Sequence, residues 1–359
     1  MTNNPLGLDH KELVIQQPGG GSVNVTKQMS GGSLGGLLRF RDEVLDETQN
    51  ALGRVAIGVG SFFNAEHQTG MDLDGELGGD FFSVAGPQVL PGAGNTGALS
   101  VGFDDVSNLT THDYQMAFDG TNWSMTDLDT GASVTLSGAG TAANPFVADG
   151  MSIVVNSAAA GDVYQLRPTR AGASGIGLLV TNERDIAAAE AVRTADAGSN
   201  TGTGHIGAGA LTTRAVPGVT GAPSFNVTLA YNAANELVPP GGTQFVDAGG
   251  NPIAGNLPYV AGQSYRLEIT GLGVYDFTMT GTPNAGDTFT IRDNAGGFGD
   301  NRNARRLADL QTANLMLGGT ASIADSYGSL VADVGTKTQH ASSNASMQQS
   351  LLAQAEAAK

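Results

Sequence analysis

Residues 31–35 read Gly-Gly-Ser-Leu-Gly, the G-x-S-x-G pattern in which a sharp strand-to-helix turn exposes a nucleophilic serine. Hydrolysis would further need a parallel sheet behind Ser33, with an acid and a histidine converging from later loops. No alternating strand–helix pattern follows, and His67, His112, His205 and His340 have no partners at recognisable spacing. A glycine-rich helix start is the plainer reading. Gly202, Gly204 and Gly207 fit G-x-G-x-x-G, whose backbone N–H groups cradle a pyrophosphate, but no strand leads in and Pro217 follows in place of a helix. A flexible linker accounts for them. Asp72, Asp74 and Glu76 look like the opening of a calcium loop, yet the twelfth position, which must bring a bidentate carboxylate, is Ser83. A solvated, hydrogen-bonded acidic turn is expected there. Trp123, the only tryptophan, stands at the entry to a strand, more a core position than a ligand platform. These residues assign no catalytic group, no cofactor and no metal, and no enzyme activity is expected.

The element that must position the first of these motifs and the acidic turn is a long amphipathic helix between them. Leu38, Leu45, Leu52 and Val59 recur every seventh residue, Leu34, Val55 and Phe62 fall on the interleaved positions, and Leu37, Val44 and Ala51 widen the stripe. Arg41 and Thr48 interrupt the interleaved row, so the edge of a bundle fits better than a strict two-stranded coiled coil. Ser33 is the expected N-cap and Gly70 the expected terminator. Gly53, Gly58 and Gly60 each cost about 1 kcal/mol in a helix interior, which is tolerable where another backbone packs close.

Composition narrows the function classes. The 359 residues are long enough for two or three domains. A net charge of −17 repels nucleic acid and anionic membranes alike. With no cysteine there is no disulfide or thiolate chemistry. No apolar run approaches the ~20 residues of a bilayer span, and the N-terminus lacks the pattern of a secretory signal. A cytoplasmic protein, or one exported without such a signal, is expected.

Along the chain, short extended runs at 12–16 and 22–28 make a hairpin candidate around Pro18. From 84 to 301 helical period is absent. Strand-like runs at 114–118, 123–128, 133–136, 152–156, 163–167, 225–231, 264–270, 275–280 and 288–292 are separated by Gly, Asn, Asp and Pro, which suggests antiparallel sheets. Two of these runs resemble each other: Ala160-Gly161-Asp162 and Ala285-Gly286-Asp287 each precede an aromatic, an aliphatic and an arginine, Arg167 or Arg292. That repetition hints at two related β-units. Residues 187–209, with a short helical piece near 185–193, read as the link between them. Helix returns late, first with Asp300 as cap and Ala304, Leu307, Leu310 and Leu317 as its stripe. A longer helix follows from Ser322, with Ile323, Tyr327, Leu330, Val331, Val334, Thr338, Ala341, Ala345, Leu352 and Ala355 on its stripe. The expected fold is α+β, multidomain and elongated: an antiparallel long-helix bundle formed by both chain ends, with antiparallel β-rich domains inserted. Residues 1–85 and 300–359 would form the helical domain, 86–200 a first β-rich domain and 201–299 a second. The bundle seam is expected at Leu34, Leu38, Leu45, Leu52, Val55, Val59, Phe62, Leu330, Val334, Ala341, Ala345 and Leu352.

Residues 31–45, Leu52, Phe62, Phe63, Asn64, His67, Gly70, Asp72, Gly75, Gly79, Phe81 and Phe82, together with the terminal helices from Asn301 through 318–335, also carry a resemblance. The sequence is similar to the FlgK family, the first hook-associated proteins of bacterial flagella. The resemblance is good over 31–82 and 286–359. The family's long N-terminal helices and extreme C-terminal helix are not in this sequence, which suggests a core fragment. Such proteins are exported through the flagellar type III apparatus without a cleaved signal, which implies an extracellular, flagellar location. They form a ring joining hook to filament. The implied partners are further copies in that ring when full length, the hook protein, the second junction protein and an export chaperone, with no nucleic acid and no membrane. A secreted β-rich surface adhesin or glycan-binding module is the alternative.

Overall fold

The computed structural model describes residues 2–3, 11–16, 22–29, 31–215 and 221–358; the turn expected at 18–21 and Pro217 lie outside these. The chain is α+β, and the sheets described are antiparallel. It divides into two compact units, one of residues 1–59, 84–176 and 312–359, the other of 60–83 and 177–311.

The helical pattern after Gly31 folds as α1 (Gly32–Phe40) and α2 (Asp46–His67), with a π-helical stretch Arg41–Leu45 between them. A π turn takes in one residue more than an α turn, which rotates the faces on either side of it. The seventh-residue ladder from Leu38 to Val59 therefore does not run as one straight stripe. The N-cap is Gly31 rather than Ser33, which lies exposed inside the first turn. Nor does Gly70 end the helix. The run stops at His67, where the Thr69 hydroxyl donates to the Glu66 carbonyl at 2.7 Å, and Gly70 opens the strand Gly70–Met71.

In the first unit, α2 brings Ile57 into a core with Leu109, Tyr114, Met116, Met125, Ile153, Tyr164 and Leu166. Gly53 makes that approach possible, because a Cβ there would stand 1.8 Å from the Thr169 carbonyl oxygen. The sheet over this core runs in the order Ser133–Val134, Trp123–Asp127, Tyr114–Phe118, Val163–Arg167, Gln88–Pro91. Trp123 packs at the core margin, stacked on Phe118 at 5.0 Å between ring centroids. The unit also holds the hairpin of Val14–Gln16 with Ser22–Asn24, and the long helix α4 (Ile323–Ala357). Ser322 and Asp325 form a capping box there: Asp325 N–H donates to Ser322 Oγ and Ser322 N–H to Asp325 Oδ2.

The second unit buries Leu229, Phe245, Leu267, Tyr275, Phe289 and Ile291 between antiparallel sheets. The helix α3 (Arg302–Asp309) also belongs to it, and Asp300 accepts the N–H of Arg302 at 3.0 Å. Residues 187–209 are no linker. Ala189–Glu190, Val192–Asp196 and His205–Ile206 are strands, and Val192–Asp196 lies against Thr288–Asp293. Their alanines favour helix locally, but Ala187, Ala189 and Ala191 are buried and the sheet pairing prevails.

The repeated Ala-Gly-Asp hairpins close in the same way in each unit. Asp162 accepts the N–H groups of Thr96, Gly97 and Ala159 at 2.8–3.1 Å. Asp287 accepts those of Thr201, Gly202 and Asn284 at 2.8–3.0 Å. Asn95 pairs through its side-chain amide with both backbone groups of Val163, and Asn200 does so with Thr288. Gly161 (φ 89°) and Gly286 (φ 96°) supply the left-handed turn residue. The arginines differ: Arg167 is buried and Arg292 exposed.

Candidate functional site

Both parts of α2 anchor buried polar clusters. In the first unit, Arg170 donates to Asn50 Oδ1 at 2.7 Å, Asp46 Oδ1 at 2.6 Å and Asp113 Oδ2 at 3.3 Å, while Arg167 reaches Asp113 at 3.3 Å. Burial pushes the Asp113 carboxyl up from its ordinary range, against the pull of Arg170 and Arg167. In the second unit, Arg306 bridges Glu66 of α2 and Glu190, with Nη1 2.6 Å from a Glu190 carboxylate that is wholly buried. Burial raises the Glu190 carboxyl too, with Arg306 opposing.

Several residues noted in the sequence meet in the loop after α2. Asn64 Oδ1 accepts the N–H groups of Phe81 and Phe82, and its amide donates to the Phe82 carbonyl at 2.7 Å. The Phe63 ring packs on Phe81 at 4.8 Å. His67 bonds Gly79 and Ala187 through its two ring nitrogens. Gly70 is crowded by Asn303 and Ala187, where a Cβ would come within 2.5 Å of the Ala187 carbonyl. Asp72 Oδ1 accepts the N–H groups of Asp74 and Glu76, each at 2.8 Å, and Asp74 pairs with Arg184. The acidic turn is thus closed on its own backbone.

The other motif residues do not converge. His67 is committed to the loop, His112 to Asp127 at 2.6 Å and His205 to Asp196 at 2.6 Å, while His340 is exposed on α4. Gly202 lies in the Asp287 turn, and a strand rather than a helix follows Gly204. His112, Asp127 and Asp129 form no metal-ligand spacing along the sequence, although their ligand-type atoms lie within 4.8 Å of one another. Asp127 there also accepts the N–H groups of Asp129 and Thr130.

The seam residues have mixed surroundings. Val55 is buried, Leu38, Val59, Phe62, Leu330 and Val334 are half-buried, and Ala341 and Ala345 are exposed. Leu34, Leu45, Leu52 and Leu352 are 42%, 51%, 41% and 60% exposed. Leu37 and Phe40 on α1, and Tyr327, Val331, Met347 and Leu351 on α4, are likewise open large apolar side chains. α2 and α4 are tied through Lys337, which bonds Glu47 and, at 3.0 Å, Asp333. What these helices offer chemically is apolar area and a few charges, with no helix among the described residues long and apolar enough to cross a membrane.

A family model for the helical domain of flagellar hook-associated protein FlgK matches residues 1–82, and one for the D2-like domain of flagellar hook-associated protein 1 matches residues 91–168. The flagellar hook junction protein FlgK from Burkholderia pseudomallei superposes on 99% of this chain and 68% of its own, with 31% sequence identity and a TM-score of 0.81. The chain belongs to the FlgK family. Flagellar hook-associated protein 1 of Salmonella typhimurium is 36% identical over 167 residues, 45% of this chain and 30% of that protein. The Escherichia coli FlgK-family relative is 31% identical over 205 residues, 55% of this chain and 37% of its own length. The chain thus matches about a third of the length of these curated relatives. For a FlgK-family chain, the loop built on Asn64, His67, Gly70 and Phe81 gives the resembling residues a structural reason: each holds the chain's return after α2.

Proposed function

We propose that this chain is the core of a structural protein that joins hook to filament in the bacterial flagellum, acting by subunit packing and not by catalysis. The observation that carries this reading is the superposition, over nearly the whole chain, on a protein described as a flagellar hook junction protein. The open leucines of α1, α2 and α4 support the packing element of it, since apolar area left uncovered on several helices is a surface for other helices. In the same reading the two chain ends, 1–85 and 300–359, form an antiparallel bundle along the twelve-residue seam, with the β-rich parts 86–200 and 201–299 inserted. The full protein binds an export chaperone, leaves the cell through the flagellar type III apparatus, and forms a ring in contact with the hook protein and the second junction protein.

Motility complementation tests this. The full protein containing this core should restore swimming to a strain lacking its own junction protein, and a Leu45→Glu, Leu52→Glu pair should abolish swimming while secretion and circular dichroism stay unchanged. Failure of the full protein to bridge hook and filament would overturn the junction role. Wild-type swimming by the double variant would overturn the seam alone.

A further inference from the structure

We propose that His67 is a proton-sensitive latch: beside the strand pairing of Gly70–Met71 with Ala189–Glu190, the neutral ring holds the Gly79 end of the loop 68–82 to Ala187, and protonation releases that end. The geometry fixes its proton. Nε2 accepts the Ala187 N–H at 2.9 Å, so it carries no hydrogen, and Nδ1 lies 2.9 Å from the Gly79 carbonyl, to which it can only donate. The imidazole is therefore the neutral Nδ1–H tautomer. A second proton would sit on Nε2 and face the Ala187 N–H, donor against donor.

His67 is fully buried, with Phe63 and Phe81 packed on it at 6.3 and 5.3 Å between ring centroids. Gly78 lets the loop come this close, since a Cβ there would stand 2.8 Å from Nδ1 and 2.2 Å from the His67 carbonyl oxygen. The charged groups facing this cluster are Asp72 and Asp80 on the loop, Glu66 on the same helix, Glu190 on the strand side, Arg306 from α3, and Arg214, which donates to the Gln68 carbonyl. Burial holds the imidazole below its ordinary range, outweighing the Gly79 carbonyl, Asp72 and Asp80, which favour the charged ring. Asp80 is engaged by the Gln68 amide, and Glu66 and Glu190 by Arg306.

The sign follows by linkage. The open loop takes up a proton at the ordinary histidine value of about 6.5 while the closed loop resists it. The latch is thus at full strength above that pH and weakens as pH falls through it. Glu190 has the opposite sign, because its raised carboxyl favours the folded state at low pH, so a non-titrating replacement of His67 is needed to separate the two.

Amide exchange of the whole chain followed by NMR across pH 8 to 5 tests this. Protection of the Ala187 N–H, corrected for intrinsic exchange, should be flat above about pH 6.5 and fall by up to tenfold per pH unit below it. In His67→Gln, whose amide can both accept and donate, that fall should disappear. The nitrogen shifts of the wild-type ring should report the neutral Nδ1–H form at pH 7 and no protonation near 6.5. An equal fall in both proteins, or a ring that titrates at its ordinary value while Ala187 stays protected, would overturn the latch. If the glutamine variant does not fold, the wild-type ring shifts and exchange profile decide alone.

Discussion

Arg170 shows what a single side chain does here. Its guanidinium satisfies Asn50 and Asp46 of α2 and Asp113 of the β-sheet side, and few of its atoms meet water. Removing one member of a buried charged set leaves the others desolvated and unpaired, at a cost of about 3–5 kcal/mol. Arg170→Met should therefore lower the first unit's stability by roughly that amount, read as a drop in the denaturation midpoint at unchanged slope. Arg170 did not stand out in the sequence, and His67 did so only by residue type and in the family resemblance, because their partners Asn50 and Ala187 lie 120 residues from them along the chain. Periodicity and local motifs carry no information on such pairs. The acidic turn at Asp72 was legible, since an Asx-type closure involves only residues two and four positions on.

At the scale of elements, glycine separates two kinds of helix. Gly53 lies against the Thr169 carbonyl with no room for a methyl group, whereas Gly335 on α4 has open space around its missing Cβ. Gly53→Ala should destabilise the first unit by about 2 kcal/mol or more, an overpacking cost. Gly335→Ala should stabilise α4 by about 0.5–1 kcal/mol. Thermal unfolding of the two variants checks both signs. Most strands were legible for a related reason: 114–118 and 163–167 begin and end where alternation meets turn residues, and the sheet simply joins them. The stretch 187–196 was not, because alanine and threonine there are compatible with helix, and only the partner strand Thr288–Asp293 decides between helix and sheet. The π stretch at Arg41–Leu45 was also invisible, since the seventh-residue spacing from Leu38 to Val59 runs through it without a break.

At the scale of the whole chain, the α+β class and the family were legible. The two Ala-Gly-Asp turns were visible as a repeat, but what makes them equivalent is the clasp each aspartate makes with a distant Thr-Gly pair, 65 residues away at Gly97 for Asp162 and 85 at Gly202 for Asp287. Backbone N–H groups hold both carboxylates below their ordinary range, that of Ala159 foremost for Asp162 and that of Asn284 for Asp287. A clasp of this kind fixes the two ends of a span whatever lies between them. Lengthening a closed loop is cheap, about 0.6 kcal/mol for each doubling, so an open turn inside the span can take an insertion while the clasped ends stay in place. A flexible Gly/Ser insert as long as the span itself, placed at the open turn of Gly131, should shift the first unit's unfolding free energy by no more than about 0.6 kcal/mol. Amide protection of Thr96 and Gly97 should stay as it is. The open turns inside each clasp can then lengthen while the clasped ends remain the same.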